Sequence, residues 1–346
     1  MPRKAKVEAI SFQEKMDKLN ETYGKGTVIT LDTDKVEEYN VIPSGSIGVD
    51  HVALGVGGFI KGKMYELRGW EGTGKSTLAG TLCANCQKLG GKVLYIDGEH
   101  AVDIKYFQKL GVDLSKFILC QPDYGEEGFD VAETLINTGE LSLVIIDSDS
   151  SLIPKIIIDN PMEASNLGKK AKLNSTAYPR LKLSLSNNNC CVIVISQYRE
   201  KIGVMFGDPK VTSGGHALKF YADIIIELSK KLSKEGDETV GNDTKFKTIK
   251  NKTYPPFKEC RFDIVFGKGI DRAKEVLELA IELGIITKSG ASYSLGEQKL
   301  ERGEAKMIQF MEDNPEFRED IELQVINTIH EKPKVEDNAE DVPELG

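Results

Sequence analysis

The chain reads as an α/β protein: a mostly parallel central sheet forms the core, a helix stands ahead of it, and a small α+β domain follows. Three observations predict that class. Short, nearly continuous apolar runs (KMYEL, KVLYID, FILCQ, LSLVIIDS and CCVIVISQ, beginning at residues 63, 92, 117, 141 and 190) alternate with stretches of helical length. Strands apolar throughout, separated by helices, belong to a parallel sheet covered on both faces. Three further runs, DIIIEL, KFKTIKN and CRFDIVF, follow without helices between them and add strands to one edge. Near residue 270 the pattern changes: AKEVLELAIELG and GEAKMIQFMEDN flank the hairpin-like GASYSLGEQKL. Glycine closes the first of these helices and Asn-Pro the second.

Taken in order, ISFQEKMDKLNETYGKG predicts a helix over residues 10–23, too short to be a domain and in need of something to pack on. STLAGTLCANCQKL, EEGFDVAETLINT and residues 166–186 are the helices between strands. The division that follows is an N-terminal helical segment at 1–36, a core at 37–270, a small domain at 271–330 and a tail at 331–346.

At 346 residues the chain can bury a large core, and with 40% hydrophobic and 29% charged residues it has the composition of a soluble globular protein. It contains no apolar run of about 18 residues, which excludes a helical membrane span, and its charged N-terminus argues against a secretory signal. Six scattered cysteines predict a reduced, cytoplasmic setting; Cys83 and Cys86 form a CxxC pair without a second pair at zinc-finger distance, and read as core. The net charge of −9 argues mildly against a polyanionic partner, but it is uneven. The tail EKPKVEDNAEDVPELG holds six acids against two lysines and predicts disorder, whereas ASNLGKKAKLNSTAYPRLK (164–182) carries five basic residues and no acid.

The chemistry starts at GWEGTGKST, residues 69–77. Gly69-Trp70-Glu71-Gly72-Thr73-Gly74-Lys75-Ser76 matches G-x-x-x-x-G-K-[ST], with a strand before and a helix after. Glycines let successive N–H groups face an anion, and the helix that follows adds its positive end. Lys75 would reach the outer phosphates and the Ser76 hydroxyl would ligand Mg²⁺, with Thr77 beside it. LVII-Asp147 supplies the apolar strand ending in aspartate that such a site needs as its second Mg²⁺ group. Glu99, just past KVLYID, stands where open α/β sheets put ligands and could orient or deprotonate a water, although a solvated loop acid has the same spacing. His100 beside it reads as structural. Gln197 ends CVIVIS with an amide able to sense a γ-phosphate, and the segment after it, YREKIGVMFGDPKVTSGG, reads as a long functional loop without regular structure, with an ordinary surface loop as the alternative. Lys250 and Lys252 share one face of the strand FKTIKNK; a solvated edge is the commoner reading of such a pair.

From about residue 10 to 330 the chain resembles the RecA recombinase family. The most specific stretches are SGSIGVDHVALGVGGFIKGKMYELRG, IDGEHAVD, LGVDLSKFILCQPDYGEEG, KIGVMFGDPKVTSGGHALKFYA and, near the end, NPEFREDIE. The resemblance implies a RecA-like P-loop ATPase core that uses ATP and Mg²⁺, forms helical filaments on single-stranded DNA, pairs it with homologous double-stranded DNA and exchanges strands. Recombination, DNA repair and the SOS response to DNA damage follow, with single-strand-binding and loader proteins as partners. On that reading Glu99 activates water, Gln197 couples the γ-phosphate to the DNA-binding loop, and Asp103 and Tyr106 contact the adenine. Lys250 and Lys252 reach ATP across the subunit interface. Two loops, around 159–168 and 206–216, line the filament axis, and Lys172, Ser175, Arg199, Lys201, Ile202, Gly203, Ser213, Gly214, Gly215 and His216 are the implied DNA contacts, holding phosphates without sequence preference. The N-terminal helix docks on the next subunit.

The chain departs from the family pattern at Trp70, where proline is usual after the first glycine, at Lys172 in place of arginine, at Pro179 with Arg180 beside it, and at His216 in place of asparagine. A lysine keeps charge but loses bidentate geometry, and Pro179 should remove one helical hydrogen bond and bend its helix. Two other classes share the motif set: a hexameric helicase or translocase, which should lack the KIGVMFG-type loop, and a nucleotide switch that never touches DNA. The acidic tail would compete with DNA for basic surfaces or simply solubilise the chain.

Overall fold

The computed structural model describes residues 11–24, 27–30, 38–160, 168–200, 210–212, 217–236 and 238–331. The first unit, up to Tyr39, contains α1 (Phe12–Tyr23). A capping box starts it: the Ser11 hydroxyl accepts from the Glu14 N–H at 3.2 Å, and the Glu14 carboxylate accepts from the Ser11 N–H at 2.7 Å.

The second unit begins with a small two-stranded sheet, β1 (Val41–Ile42) and β2 (Phe59–Ile60). The main sheet takes β3 (Met64–Gly69), β4 (Lys92–Asp97), β5 (Phe117–Cys120), β6 (Leu141–Asp147), β7 (Cys191–Glu200), β9 (Ile224–Glu235), β10 (Glu238–Asn251), β11 (Glu259–Val265) and β12 (Gly269–Ile270). Their spatial order is β12-β11-β10-β9-β3-β7-β6-β4-β5. The pairs from β9 to β5 are parallel and those from β9 outward to β12 antiparallel. The predicted parallel sheet with strands added at one edge is the observed one. Helices α2 (Lys75–Lys88) and α3 (Ile104–Lys109) cover one face through Leu78, Leu82 and Phe107. On the other face α4 (Gly125–Ile136), α6 (Lys169–Asn188) and α7 (Ala217–Tyr221) pack through Phe129, Tyr178, Leu181, Leu185 and Leu218. A short α5 (Lys155–Ile158) lies between α4 and α6 in the chain. Helix α6 runs on through Pro179 for its whole 20 residues.

The segment after Gln197 differs from expectation. Strand β7 continues to Glu200, and β8 (Lys210–Thr212) pairs with it antiparallel, so the described ends of the expected loop form a two-stranded ribbon.

The C-terminal region consists of α8 (Arg272–Glu282), a three-stranded sheet β13 (Thr287–Ser289), β14 (Ser292–Leu295) and β15 (Gln298–Arg302), α9 (Glu304–Asp313) and α10 (Pro315–Glu331). Asn314-Pro315 ends α9 and at once starts α10, because proline at a first helical position loses no hydrogen bond. The 17-residue α10 has a weak apolar period and is absent from the sequence expectations. This region is tied to the core by a buried carboxylate. Glu275 accepts from the Ser46 hydroxyl at 2.5 Å and from the Ile47 and Gly48 N–H groups at 3.1 and 3.0 Å. Ile47 itself joins the apolar cluster of Val276, Leu277, Met307 and Ile321.

Candidate active site

At the carboxyl ends of β3, β7, β6 and β4, neighbours in that order, the sheet opens into a cleft of about 410 Å³. Glu71, Gly72, Gly74, Lys75, Ser76, Thr77, Glu99, Tyr106, Asp147 and Gln197 line it, and Asn242, Ile264, Phe266 and Gly267 close it from β10, β11 and the β11–β12 turn.

The loop from Gly69 to Gly74 can exist only with glycine at defined places. Gly72 and Gly74 have φ of 68° and 92°, and a Cβ on Gly74 would meet Ile264 Cδ1 at 2.3 Å. A Cβ on Gly69 would sit 2.8 Å from the Leu228 carbonyl. The loop is pinned inside by Thr73, whose hydroxyl donates to the Trp70 carbonyl at 2.9 Å, and outside by the Asn242 amide, which donates to the Gly72 carbonyl at 3.1 Å. Lys75 opens α2; its ammonium donates to the carbonyls of Gly69 (3.1 Å) and Trp70 (2.8 Å). Burial lowers its pKa, against the pull of Asp147, Glu99 and Glu71.

Ser76 Oγ donates to Asp147 Oδ2 at 3.2 Å, and Tyr95 Oη donates to the same oxygen at 2.5 Å. Burial raises the Asp147 pKa, with the Tyr95 bond opposing it and the nearby Glu99 charge adding to it. Strand register sets Asp147 opposite Asp97 and Gly69 opposite Gln197. Asp97 folds the loop that carries Glu99: its carboxylate accepts from the N–H groups of Ala101 and Val102 at 3.2 and 3.1 Å and from the Gln121 amide at 3.0 Å. Glu99 Oε1 then accepts from Ser148 Oγ and from Gln197 Nε2, both at 2.8 Å. His100 lies in the same turn with φ 52°.

These residues fit a nucleotide and its metal. The glycine cradle leaves no room for a Cβ at Gly69 or Gly74, a buried cation donates to two neutral carbonyls, and a hydroxyl and a carboxylate, both hard oxygen donors, meet beside it. Tyr106 lines the cleft, its hydroxyl 3.0 Å from Thr77 Oγ1, whereas Asp103 does not line it. Asp103 caps α3, accepting from the Tyr106 N–H at 3.0 Å.

Residues 10–271 match the family profile of the RecA N-terminal domain, and residues 274–330 that of the RecA C-terminal domain. The chain belongs to the RecA family. It is 43% identical over 326 residues to Protein RecA of Cytophaga hutchinsonii, covering 94% of this chain and 91% of the relative. It is 43% identical over 312 residues to Protein RecA of Geobacter sulfurreducens (90% and 92% covered) and 38% identical over 340 residues to that of Acinetobacter baylyi (97% of each). As a RecA protein it is a recombinase and a DNA-dependent ATPase, which leaves aside the helicase and switch alternatives. The family implies a bound nucleotide, DNA and self-association. No helix among the described residues is long and apolar enough to cross a membrane.

Other expected RecA residues fall elsewhere. Lys172 and Ser175 are exposed on α6, with the Ser175 hydroxyl donating back to the Ala171 carbonyl, and Arg199 is exposed on β7. Lys201, Ile202, Gly203, Ser213, Gly214, Gly215 and His216, and most of both expected loops, lie outside the described residues. The basic stretch at 164–182 is compensated in space. Lys170 lies 3.6 Å from Asp149, Arg180 reaches Glu133 at 2.5 Å and Asp130 at 3.4 Å, and Lys182 pairs with Asp223. Three of the five bases, Lys170, Arg180 and Lys182, are therefore matched by carboxylates from other parts of the chain, whereas Lys172 is exposed on α6. Lys250 and Lys252 do not share a strand face: a register shift falls between Thr248 and Lys250, and β10 ends at Asn251. Neither lines the cleft. Lys250 Nζ donates to the carbonyls of Lys219, Phe220 and Ala222 at 3.0, 3.4 and 2.6 Å, and Lys252 lies 3.6 Å from Asp223.

Sequence reasoning missed Asn242, Ile264, Phe266 and Gly267 because they join the cleft from two strands and a turn without a local motif. It also missed Tyr95 and Asp97, which face Asp147 and the Glu99 loop only through strand register. Cys83 and Cys86 are buried, and burial pushes the Cys86 thiol up to about 11, in keeping with a core role.

Proposed function

We propose that the chain binds ATP with its outer phosphates on the Gly69–Thr77 loop and Lys75, and hydrolyses it with Glu99 positioning and deprotonating the attacking water. Lys75 exchanges carbonyl partners for phosphate oxygens, a stronger, charge-assisted bond. Mg²⁺, held by Ser76 and through water by Asp147, would neutralise phosphate charge. The observation that carries the reading is the shared carboxylate: Glu99 Oε1 accepts from Ser148, next to Asp147, and from Gln197, on the strand that leads into the β7–β8 ribbon. A group so held can report a γ-phosphate to whatever the ribbon touches. Tyr106 and Asp103 flank the adenine, and Lys250 and Lys252 of a neighbouring copy complete the site in trans, a type of contribution worth roughly 10³ to 10⁵ in rate in related phosphoryl transfers.

Single-stranded DNA lies against Lys172, Ser175, Arg199 and the segments 201–203 and 213–216, in a helical filament that pairs it with duplex DNA and exchanges strands. Within that filament residues 1–36 dock on the next subunit, 37–270 form the ATPase core, 271–330 form the small domain and 331–346 compete with DNA. Loader and single-strand-binding proteins assist, and the free thiols suit a cytoplasmic setting.

The test is steady-state ATP hydrolysis with and without single-stranded DNA, for wild type and Glu99→Ala, with filament growth followed by light scattering. The expected result is DNA-stimulated turnover that Glu99→Ala abolishes while ATP-dependent filaments persist. Turnover that survives in Glu99→Ala would remove Glu99 from this role.

A further inference from the structure

The chain has a single tryptophan, and it stands in the phosphate loop. The Trp70 carbonyl accepts from the Lys75 ammonium at 2.8 Å, and its indole, 37% exposed, packs on the ring of Tyr198 with centroids 5.8 Å apart and planes at 58°. Tyr198 directly follows Gln197 on β7 and faces Thr212 across the β7–β8 ribbon. Its ring also carries Lys210, on β8, with Nζ 5.7 Å from the centroid, and its hydroxyl donates to Glu227 of β9 at 2.5 Å. One aromatic residue therefore touches the phosphate loop, the ribbon and strand β9, which lies beyond β3 in the sheet.

We propose that the Trp70–Tyr198 contact is a positioning device that couples phosphate on the loop to DNA on the β7–β8 ribbon, beside the Gln197 route. The inference rests on the nucleotide and DNA roles proposed above. When the Lys75 ammonium turns to a phosphate it leaves the Trp70 carbonyl, so the peptide that carries the indole is released from one of its two donors. The indole is held by Tyr198, and Tyr198 is held to Glu227, so a shift of the loop bears on the strand that pairs with β8. DNA bound on the ribbon fixes Tyr198 and, through it, the loop. Such coupling is reciprocal: each ligand must raise the affinity for the other by the same factor.

The experiment measures binding of a non-hydrolysable ATP analogue and of an oligo(dT), each with and without the other, in wild type, Tyr198→Leu, Tyr198→Phe and Trp70→Leu, with tryptophan emission as a second readout. Wild type should show mutual enhancement of about tenfold or more, and Tyr198→Leu should reduce it to about twofold or less while each ligand alone binds within about twofold of wild type. Tyr198→Phe keeps the ring contact and should keep the coupling. In wild type both ligands should shift the Trp70 emission; in Tyr198→Leu the nucleotide should still do so and oligo(dT) should not. Trp70→Leu, in the loop itself, should lose coupling as Tyr198→Leu does whatever it does to the analogue's own affinity, because coupling is the ratio of affinities with and without oligo(dT), and it carries the test if Tyr198→Leu folds poorly. Unchanged coupling in the leucine variants, or Tyr198→Phe as defective as Tyr198→Leu, overturns the proposal. Wild-type ligands that bind without affecting each other would overturn the underlying reading as well.

Discussion

Lys75 and Lys170 are both lysines whose burial depresses the pKa, and they differ in what holds them. Lys75 donates to two neutral carbonyls of its own loop. Lys170 donates to the carbonyls of Asp149 and Leu152 and stands beside the fully buried Asp149 carboxylate, which also accepts from Tyr178 Oη at 2.5 Å and from the Asn174 amide. A cation on neutral acceptors is available to an arriving anion, because phosphate outcompetes a carbonyl. A cation inside a carboxylate network is committed, and taking it away leaves an uncompensated buried charge. Availability for ligand is set by the charge of the existing partner, and neither burial nor local density of basic residues reports it.

The largest expected effect is at the cleft itself. Glu99→Gln keeps shape and hydrogen bonding but removes the proposed base, and should lower DNA-stimulated phosphate release by about 10²- to 10⁴-fold while nucleotide binding persists. Next comes the direct contrast of the two lysine sites in urea unfolding. Asp149→Ala should cost about 3–5 kcal/mol by leaving the Lys170 charge without its buried carboxylate. Lys75→Met should leave stability unchanged or raised, since burial opposes its charge, while abolishing nucleotide binding. A Lys75→Met protein destabilised as much as Asp149→Ala would erase the distinction.

On α6 the same contrast predicts a smaller difference. Lys172→Ala should reduce the slope of log affinity against log salt for oligo(dT) by about 1, whereas Arg180→Ala, whose charge is matched by Glu133 and Asp130, should leave it unaltered. Equal slopes for the two variants would mean that carboxylate pairing does not decide availability.

The smallest effect concerns the junction with the C-terminal region. His51 Nδ1 lies 3.1 Å from His330 Nε2 of α10, and burial, then His330 and Arg272, lower the His51 pKa from 6.5 to about 4. The folded protein disfavours the charged imidazole, so as pH falls the unfolded chain takes up the proton first. The associated stability is fully present above about pH 6.5 and is lost between there and about pH 4. After allowance for partial solvent exposure this amounts to about 1 kcal/mol. Urea midpoints of His51→Gln should vary less with pH across that window than those of wild type.

The phosphate loop was legible because its geometry is local: eight consecutive residues, a strand before and a helix after, place Gly69, Gly74, Lys75 and Ser76 by backbone conformation alone. Asp147 was legible as the end of an apolar strand and Glu99 as lying just past one, and α8 and α9 by their apolar period and end signals. Helix α10 was not, since its apolar period is weak and its first residue, Pro315, reads equally well as the end of α9.

By itself, then, the sequence determined the parallel sheet, the glycine-rich loop proposed to hold phosphate and the family to which the chain belongs, because contiguous residues encode strand period, turn conformation and motif. The tertiary structure alone decided which charges remain available and what completes the cleft. Asp223 meets Lys182 from 41 residues away, Asn242 reaches Gly72 from 170, and Tyr198 meets Trp70 because β7 lies beside β3. Such meetings depend on strand order and register, which bring together side chains that no local pattern relates.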